Sequence, residues 1–364
     1  MVPTMTTATP DPSPVPAFSG AAPRISGLGV FSQVHGRTGQ PIRDVYARLL
    51  DAIVAADELG VDVFWVGQHH VDESSGRLPS PFPLLAAAAE RTRRIRLGTA
   101  VAVLPLEDPL RLAEDAVVVD TLSDGRVELG LGSGGGSERA YRAFGQPGGA
   151  AERRALFDAK LDRVLAALTG APLADGPDAP RLVPAAGSLG DRVWLAAGTV
   201  ARAAEAGRRG LRLLTGTFSD TQAEQRAKID AYLAASIDAG HPDRSRRVSA
   251  GRFVYTGTSR EAIEREVAHG LAAHRERIRP FAPDLARLEV PDYLERVTRY
   301  GHVDDVVSQL RADLGIADVA TDFHTILSLY PAAGDVTPAA DVDIARIEEL
   351  VTTIGPALGW RRRA

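Results

Sequence analysis

The stretch IRDVYARLLDAIVAADELGVDVFWVGQHH, residues 42–70, carries two different periods one after the other. Ile42, Val45, Tyr46, Leu49, Leu50, Ile53, Val54 and Leu59 recur at spacings of three and four, which is one face of an amphipathic helix. Gly60 stands where helices commonly close in a left-handed conformation. VDVFWVG (61–67) is then a short apolar run, the mark of a strand covered on both faces. It stops at Gln68, His69 and His70. Helix followed by doubly buried strand is the repeat of a parallel α/β fold. Polar nitrogens at the end of such a strand pose a choice between metal binding, proton transfer and packing.

The same alternation runs outward in both directions. RISGLGVFS (24–32), IRLGTAVAVL (95–104), GRVELGLG (125–132), RVWLAAG (192–198), LRLLTG (211–216), RVSAGRFVY (247–255) and DFHTILSLY (322–330) are further strand runs. Helical patterns separate them, including DPLRLAEDAVVVDTLSDG (108–125) and AERRALFDAKLDRVLAAL (151–168), and ADVDIARIEELVTTIGPAL (340–358) closes the series. Eight strand–helix units with no break in composition between halves predict a (β/α)₈ TIM barrel rather than a doubly wound sheet of two halves. Residues 256–321 are too long for one crossover helix, so an insertion is expected before the last strand. The proline-rich residues 1–24 read as a disordered leader, and 25–364 as one domain.

Composition narrows the function. The formal net charge is −5, with acids and bases interspersed, so no nucleic-acid footprint is expected. There are no cysteines, which excludes disulfides, thiolate metal ligands and a cysteine nucleophile, and fits a cytoplasmic protein. No run approaches the roughly 20 apolar residues of a membrane span.

In a barrel of this kind the site is expected at the C-terminal ends of the strands. Gly130, Gly132 and Gly135 match G-x-G-x-x-G, but the residue twenty past Gly132 is Glu152, inside a helical pattern, so a dinucleotide fold is not supported. What remains is a loop whose amides could approach an anion. Gly198 and Thr199 precede a helix and would offer free N–H groups to a phosphate; Arg202 and Arg154 could add charge-assisted contacts. His69 and His70, being adjacent, would point to opposite faces of an extended strand, so only one is expected at the site. Asp72 and Glu73 offer no metal-ligand spacing, and no metal is expected. A neutral histidine at the barrel mouth suits proton transfer.

FWVGQHH, LGTAVAVLPLEDPLRLAEDAVVVDTLSDGRVELGLGSG, AFG followed by RRALFD, and WLAAGTVARAAEAGRRG occur in this order. With them the chain resembles the bacterial luciferase-like flavin monooxygenases, closely over about residues 25–215 and loosely at the closing strand and helix. The resemblance implies a (β/α)₈ fold with FMN in the barrel mouth. It implies His69 as the catalytic histidine, with His70 structural. Gln68 stands where luciferases carry a glutamate. A non-proline cis peptide that supports the flavin ring matches Ala100–Val101, beside Thr99. The phosphate contacts carry over onto Ser133, Gly134, Arg154, Gly198, Thr199 and Arg202. Ser133 replaces a luciferase arginine, so one phosphate charge is missing.

The implied reaction uses reduced FMN and O2 to oxygenate a small organic substrate, with the flavin delivered by a separate reductase. Two alternatives stand beside it: hydride transfer with a deazaflavin coenzyme, and a flavin-binding protein without turnover. Relatives often form dimers through helices beside the second and third strands, so a homodimer is expected. His324 in the last strand reads as a core histidine. His274, Arg275 and Arg277 are weaker contacts for a substrate acid group.

Overall fold

The structure is a computed structural model that describes residues 24–36, 39–71, 75–134, 138–216, 220–279, 282–316, 318–326 and 344–363, the side chains of Arg244, His269, Ala273 and Arg277 excepted. The expected leader lies, but for Arg24, outside the described residues, as do Asp72, Glu73 and Gly135.

Strand β1 (Gly27–Ser32) pairs in parallel with β2 (Val63–Val66), and β2 with β3 (Arg96–Thr99). The series continues through β4 (Val127–Gly132), β5 (Val193–Ala196), β6 (Arg212–Gly216) and β7 (Val248–Thr256) to β8 (Asp322–Ile326). β8 pairs with β1, Gly29 opposite His324, and this contact closes a parallel barrel of eight strands. Apolar runs rather than alternating ones are what such strands require, because the barrel interior and the outer helices cover both faces. β1, β2 and β4 are buried at every position.

The expected third strand, 95–104, is interrupted. β3 ends at Thr99, Ala102–Val103 resumes pairing with β4, and the Ala100–Val101 peptide between them is cis. Close approach decides the composition beneath this break. A Cβ on Gly98 would lie 2.2 Å from Cε3 of Trp65, whose indole fills the barrel interior.

Helices α1 (Ile42–Leu59), α2 (Pro81–Arg91) and α3 (Pro109–Leu122) follow β1, β2 and β3. α1 ends as the sequence predicts, with Gly60 at φ +90° and its N–H on Ala56 and Asp57 carbonyls. A short α4 (Glu138–Ala143) and the longer α5 (Ala150–Leu168) follow β4. α6 (Val200–Arg208) and α7 (Gln222–Asp238) follow β5 and β6.

The insertion before β8 contains α8 (Arg260–Ile278) and a strand absent from the sequence reading, Thr298–Gly301. This strand pairs with the end of β7, from Phe253 opposite Thr298 to Thr256 opposite Gly301, overlapping the stretch that pairs with β8 only at Phe253. Ile263, Val267 and Leu271 of α8 share one apolar cluster with Phe31, Trp65 and Trp194 of the barrel. Arg252 of β7 and Arg299 of the extra strand both donate to the buried Asp313. The insertion is therefore seated on the barrel by an apolar cluster and a buried ion network together.

Candidate active site

A cavity of about 480 Å³ opens at the C-terminal ends of the strands. Its walls come from 67–70 after β2, the Ala100–Val103 segment, Gly132–Gly134 after β4, Ala196–Gly198 after β5 and Leu214–Gly216 of β6. Phe31 and His324 lie at its floor side, on β1 and β8. Apolar side chains dominate the lining: Phe31, Val101, Val103, Leu106 and Leu214 among them.

Gln68 lines this cavity, but its amide is already engaged. Nε2 donates to the Pro79 carbonyl at 2.9 Å and to Glu107 Oε1 at 2.5 Å, while Oε1 accepts from Val103 N at 2.6 Å. Gln68 thus ties the end of β2 to the segment after β3. Lys160 of α5 secures the same segment by donating to the carbonyls of Pro105 (2.8 Å) and Glu107 (2.6 Å).

His69 lines the cavity, with its backbone N–H on the Leu78 carbonyl at 3.0 Å. Its ring lies against Gly76, where a Cβ would sit 2.4 Å from Cδ2. His70 lines the cavity as well, which corrects the expectation that it turns into the fold. The alternation of faces applies within a strand; β2 ends at Val66, and residues 68–70 follow an irregular course. The His70 ring meets Phe144 edge-on at 4.7 Å. Burial lowers its pKa, the charge of Glu107 opposing, so the neutral form is favoured. Its Nε2 is buried with no hydrogen-bond partner among the described residues.

Thr99 is not brought to the cavity. It is fully buried, and its hydroxyl donates to the Gly130 carbonyl (2.7 Å) and accepts from the Gly130 N–H (3.0 Å), joining β3 to β4. Ala100 and Val101, on either side of the cis peptide, do line it.

A second pocket of about 270 Å³ adjoins the first, and Ser133, Gly134, Ala196 and Gly198 line both. Arg153, Arg154 and Arg202 face it together with Thr199. Thr199 caps α6, its hydroxyl accepting from Arg202 N at 3.3 Å, so the free N–H groups of that helix end belong to the same place. The Arg202 guanidinium lies 4.8 Å from the Phe157 ring and 2.5 Å from Asp158, so part of its charge is balanced. Arg153 sits 5.0 Å from the Tyr141 ring, and Tyr141 donates to the Ser133 carbonyl at 2.6 Å. Arg153 escaped the sequence reading; its adjacency to Arg154 at a helix start was the available signal. Gly134 has φ +72°, and a Cβ there would lie 2.8 Å from Val103 Cγ1, so the wall that the two pockets share requires glycine at this position.

Three further lining residues were also missed: Thr215 of β6, and the ion pair of Lys228 with Asp220. His324 is buried; its Nδ1 is 2.7 Å from Ser249 Oγ, and burial, then the charge of Arg252, lowers its pKa to about 3. His274 and Arg275 remain within the insertion, the first against Tyr293, the second on the Ala286 carbonyl; the Arg277 side chain lies outside the described residues.

Among the described residues no group of three or more histidines and carboxylates is placed to hold a metal ion, and no helix is long and apolar enough to cross a membrane. The arrangement fits a flat aromatic ligand with an anionic tail. An apolar-walled cavity that suits a ring adjoins an arginine-lined pocket at a helix N-terminus, which suits a phosphate.

The model of the luciferase-like monooxygenase family matches residues 27–321. The 4-hydroxyprotoasukamycin monooxygenase of Streptomyces nodosus subsp. asukaensis is 41% identical over 111 residues, which is 30% of this chain and 29% of that protein. The oxygenase component of flavin-dependent trigonelline monooxygenase from Acinetobacter baylyi is 33% identical over 95 residues, 26% of each. Each match thus spans under a third of the relative's own length. In fold, the chain is similar to the oxygenating constituent of 3,6-diketocamphane monooxygenase of Pseudomonas putida, solved in complex with FMN. The TM-score is 0.71 at 20% identity, covering 93% of this chain and 100% of that one.

Proposed function

Since the chain belongs to the luciferase-like monooxygenase family, we propose that it is the oxygenase of a two-component system. It takes reduced FMN from a separate flavin reductase and uses O2 to oxygenate a small organic substrate. The observation that carries this reading is that the apolar cavity adjoins the arginine-lined pocket at the start of α6, the two sharing Ser133, Gly134, Ala196 and Gly198 as lining. The trigonelline relative, itself an oxygenase component, and the FMN-bound structural neighbour support it.

Reduced FMN, when bound, supplies two electrons to dioxygen, so that one oxygen atom enters the substrate and the other leaves as water. The chain's residues do the rest. Arg153, Arg154, Thr199 and Arg202 would hold the phosphate, and Gly134 and Gly198 leave room for the chain between phosphate and ring. Ala100, Val101, Val103 and Ala196 offer the ring a small-residue and apolar surface. Phe31, Leu106 and Leu214 exclude water from the reacting region, which limits loss of electrons to solvent side reactions. His69 would hold or move a proton at its imidazole. His70, whose neutral form burial favours, lines the same wall.

Anaerobic titration with reduced FMN, and separately with a reduced deazaflavin coenzyme, tests the reading by absorbance and fluorescence. Saturable binding of reduced FMN, followed by oxygen uptake when a flavin reductase and NADH are supplied, is expected. Binding of the deazaflavin alone would make the chain a hydride-transfer enzyme, and binding of neither would remove the flavin reading. Rapid NADH oxidation by the protein alone would remove the separate reductase.

A further inference from the structure

The wall of the cavity built by β6 and α7 differs from the rest. Among the described residues that line the cavity, Lys228 and Asp220 are the only acidic or basic ones apart from histidines. The Lys228 side chain is 5% exposed and its Nζ donates to Asp220 Oδ2 at 2.5 Å. An ammonium carries three N–H donors, and Asp220 takes one. Thr215 lines the same cavity from β6 and is 7% exposed. Its Oγ1 is buried without a hydrogen-bond partner among the described residues. A buried hydroxyl and a buried ammonium with donors to spare are costly to leave unsatisfied, unless an acceptor comes to them.

The charge of this wall selects the acceptor. Lys228 and Asp220 sum to zero, and the low pKa of His324 leaves the floor uncharged at neutral pH. A carboxylate here would set a second negative charge beside the half-buried Asp220, with the arginines away in the adjoining pocket. A neutral oxygen acceptor meets the donors without that penalty.

We propose that Lys228 and Thr215 anchor the carbonyl oxygen of an uncharged organic substrate, with Asp220 as the positioning residue that holds the ammonium in place. This rests on the reading of the cavity as an oxygenation chamber and deepens it by naming the substrate class: a ketone, ester, lactone or amide rather than a carboxylic acid or a plain hydrocarbon.

The test uses the full chain and three probes of similar shape: cyclohexanone labelled with ¹³C at the carbonyl, methylcyclohexane and cyclohexanecarboxylate. Dissociation constants are measured by NMR with and without oxidised FMN, and FMN binding is followed separately by flavin fluorescence. A chain that binds no FMN sinks the cofactor reading, whereas the probe series tests the subsite on its own. Wild type is expected to bind cyclohexanone in preference to the carboxylate and to move its carbonyl resonance downfield. Thr215→Val, nearly isosteric, should weaken cyclohexanone roughly fivefold relative to methylcyclohexane and return part of the carbonyl shift. Lys228→Met should do the same and more; if that variant fails to fold, Thr215→Val alone decides. The proposal is overturned by preference for the carboxylate. It is equally overturned by a ketone-to-hydrocarbon affinity ratio or a carbonyl shift that Thr215→Val leaves unchanged, absence of any ketone binding included.

Discussion

Replacing Gln68 by glutamate changes one nitrogen to oxygen, yet the structure predicts a large loss of stability that depends on pH. The Gln68 amide donates to Pro79 O at 2.9 Å and Glu107 Oε1 at 2.5 Å, and accepts from Val103 N at 2.6 Å. In Gln68→Glu the last bond survives, both donations vanish, and a carboxylate faces Glu107 across the same gap. Two carboxylates in hydrogen-bond contact do not both ionise readily, so one keeps a proton. Holding that proton from an ordinary glutamate pKa of about 4.3 up to pH 7, at about 1.36 kcal/mol per unit, costs roughly 3.7 kcal/mol. The retained proton restores the link to Glu107 but not the bond to Pro79, whose loss adds about 1 kcal/mol. The sum is an upper bound, because Glu107 is half-buried and water screens part of the repulsion. For a chain of 364 residues it corresponds to a fall in Tm of at most about 6 °C at pH 7. The folded pair binds its proton more tightly than the unfolded chain does. Its stability is therefore full below about pH 4.3 and lost as pH rises, so at pH 5 the fall shrinks to about 3 °C. Thermal denaturation of wild type and variant between pH 5 and 8 reads this directly, and adding Glu107→Gln should recover the pH-dependent part. A loss below 1 °C at every pH, or one that Glu107→Gln does not relieve, would refute the reasoning.

Other substitutions probe the frame and the second pocket. A Cβ on Gly130 would lie 1.9 Å from the Thr99 carbonyl oxygen, so Gly130→Ala should cost about 3 kcal/mol or more, while Gly148→Ala, with open space around it, should stay within about 0.5 kcal/mol in denaturant titrations. Burial alone would raise the Asp313 carboxyl, but Arg252 and Arg299 outweigh it and hold it at about 2. The resulting stability is complete above about pH 3.9 and lost as pH falls through about 2, and Asp313→Asn, leaving two buried guanidiniums beside an amide, should cost about 3–5 kcal/mol at pH 7. Thr199→Ala removes the cap of α6 and should cost about 1 kcal/mol by chemical denaturation. Arg154→Ala should weaken FMN about five- to tenfold and riboflavin scarcely at all, since only the first carries the phosphate; equal losses would place the phosphate elsewhere.

The barrel was legible because doubly buried strands leave short apolar runs, and each of the eight runs lies on an observed strand. The extra strand was not. Thr298–Gly301 is four residues following a helix, and it is held by pairing with an overlong β7 that no local pattern announces. The break in the third run was likewise invisible in its apolar character, and only the family resemblance marked Ala100–Val101. At the site, Arg154, Arg202 and Thr199 were legible from helix-terminus physics, which acts locally, whereas Arg153 was not. Thr99 entered only as a small neighbour of the cis peptide that the resemblance marks, and no local pattern announced that its hydroxyl joins β3 to β4 instead of lining the cavity. Lys228 could have been found: Gln225, Lys228, Ile229, Tyr232 and Ser236 lie on the buried face of α7, a helical stripe in which Gln225, Lys228 and Ser236 are polar. Polar residues on an inward stripe are a signal for a lined cavity or a buried network, and that stripe went unread.

The most direct test of the account is a crystal structure of the full chain grown with FMN. The phosphate is expected among Arg153, Arg154, Thr199 and Arg202, with the ring against Ala100–Val101 and His69 and Thr215 left facing the remaining space. A phosphate bound at the loops after β7 and β8, or a ring outside the cavity that His69 lines, would contradict it.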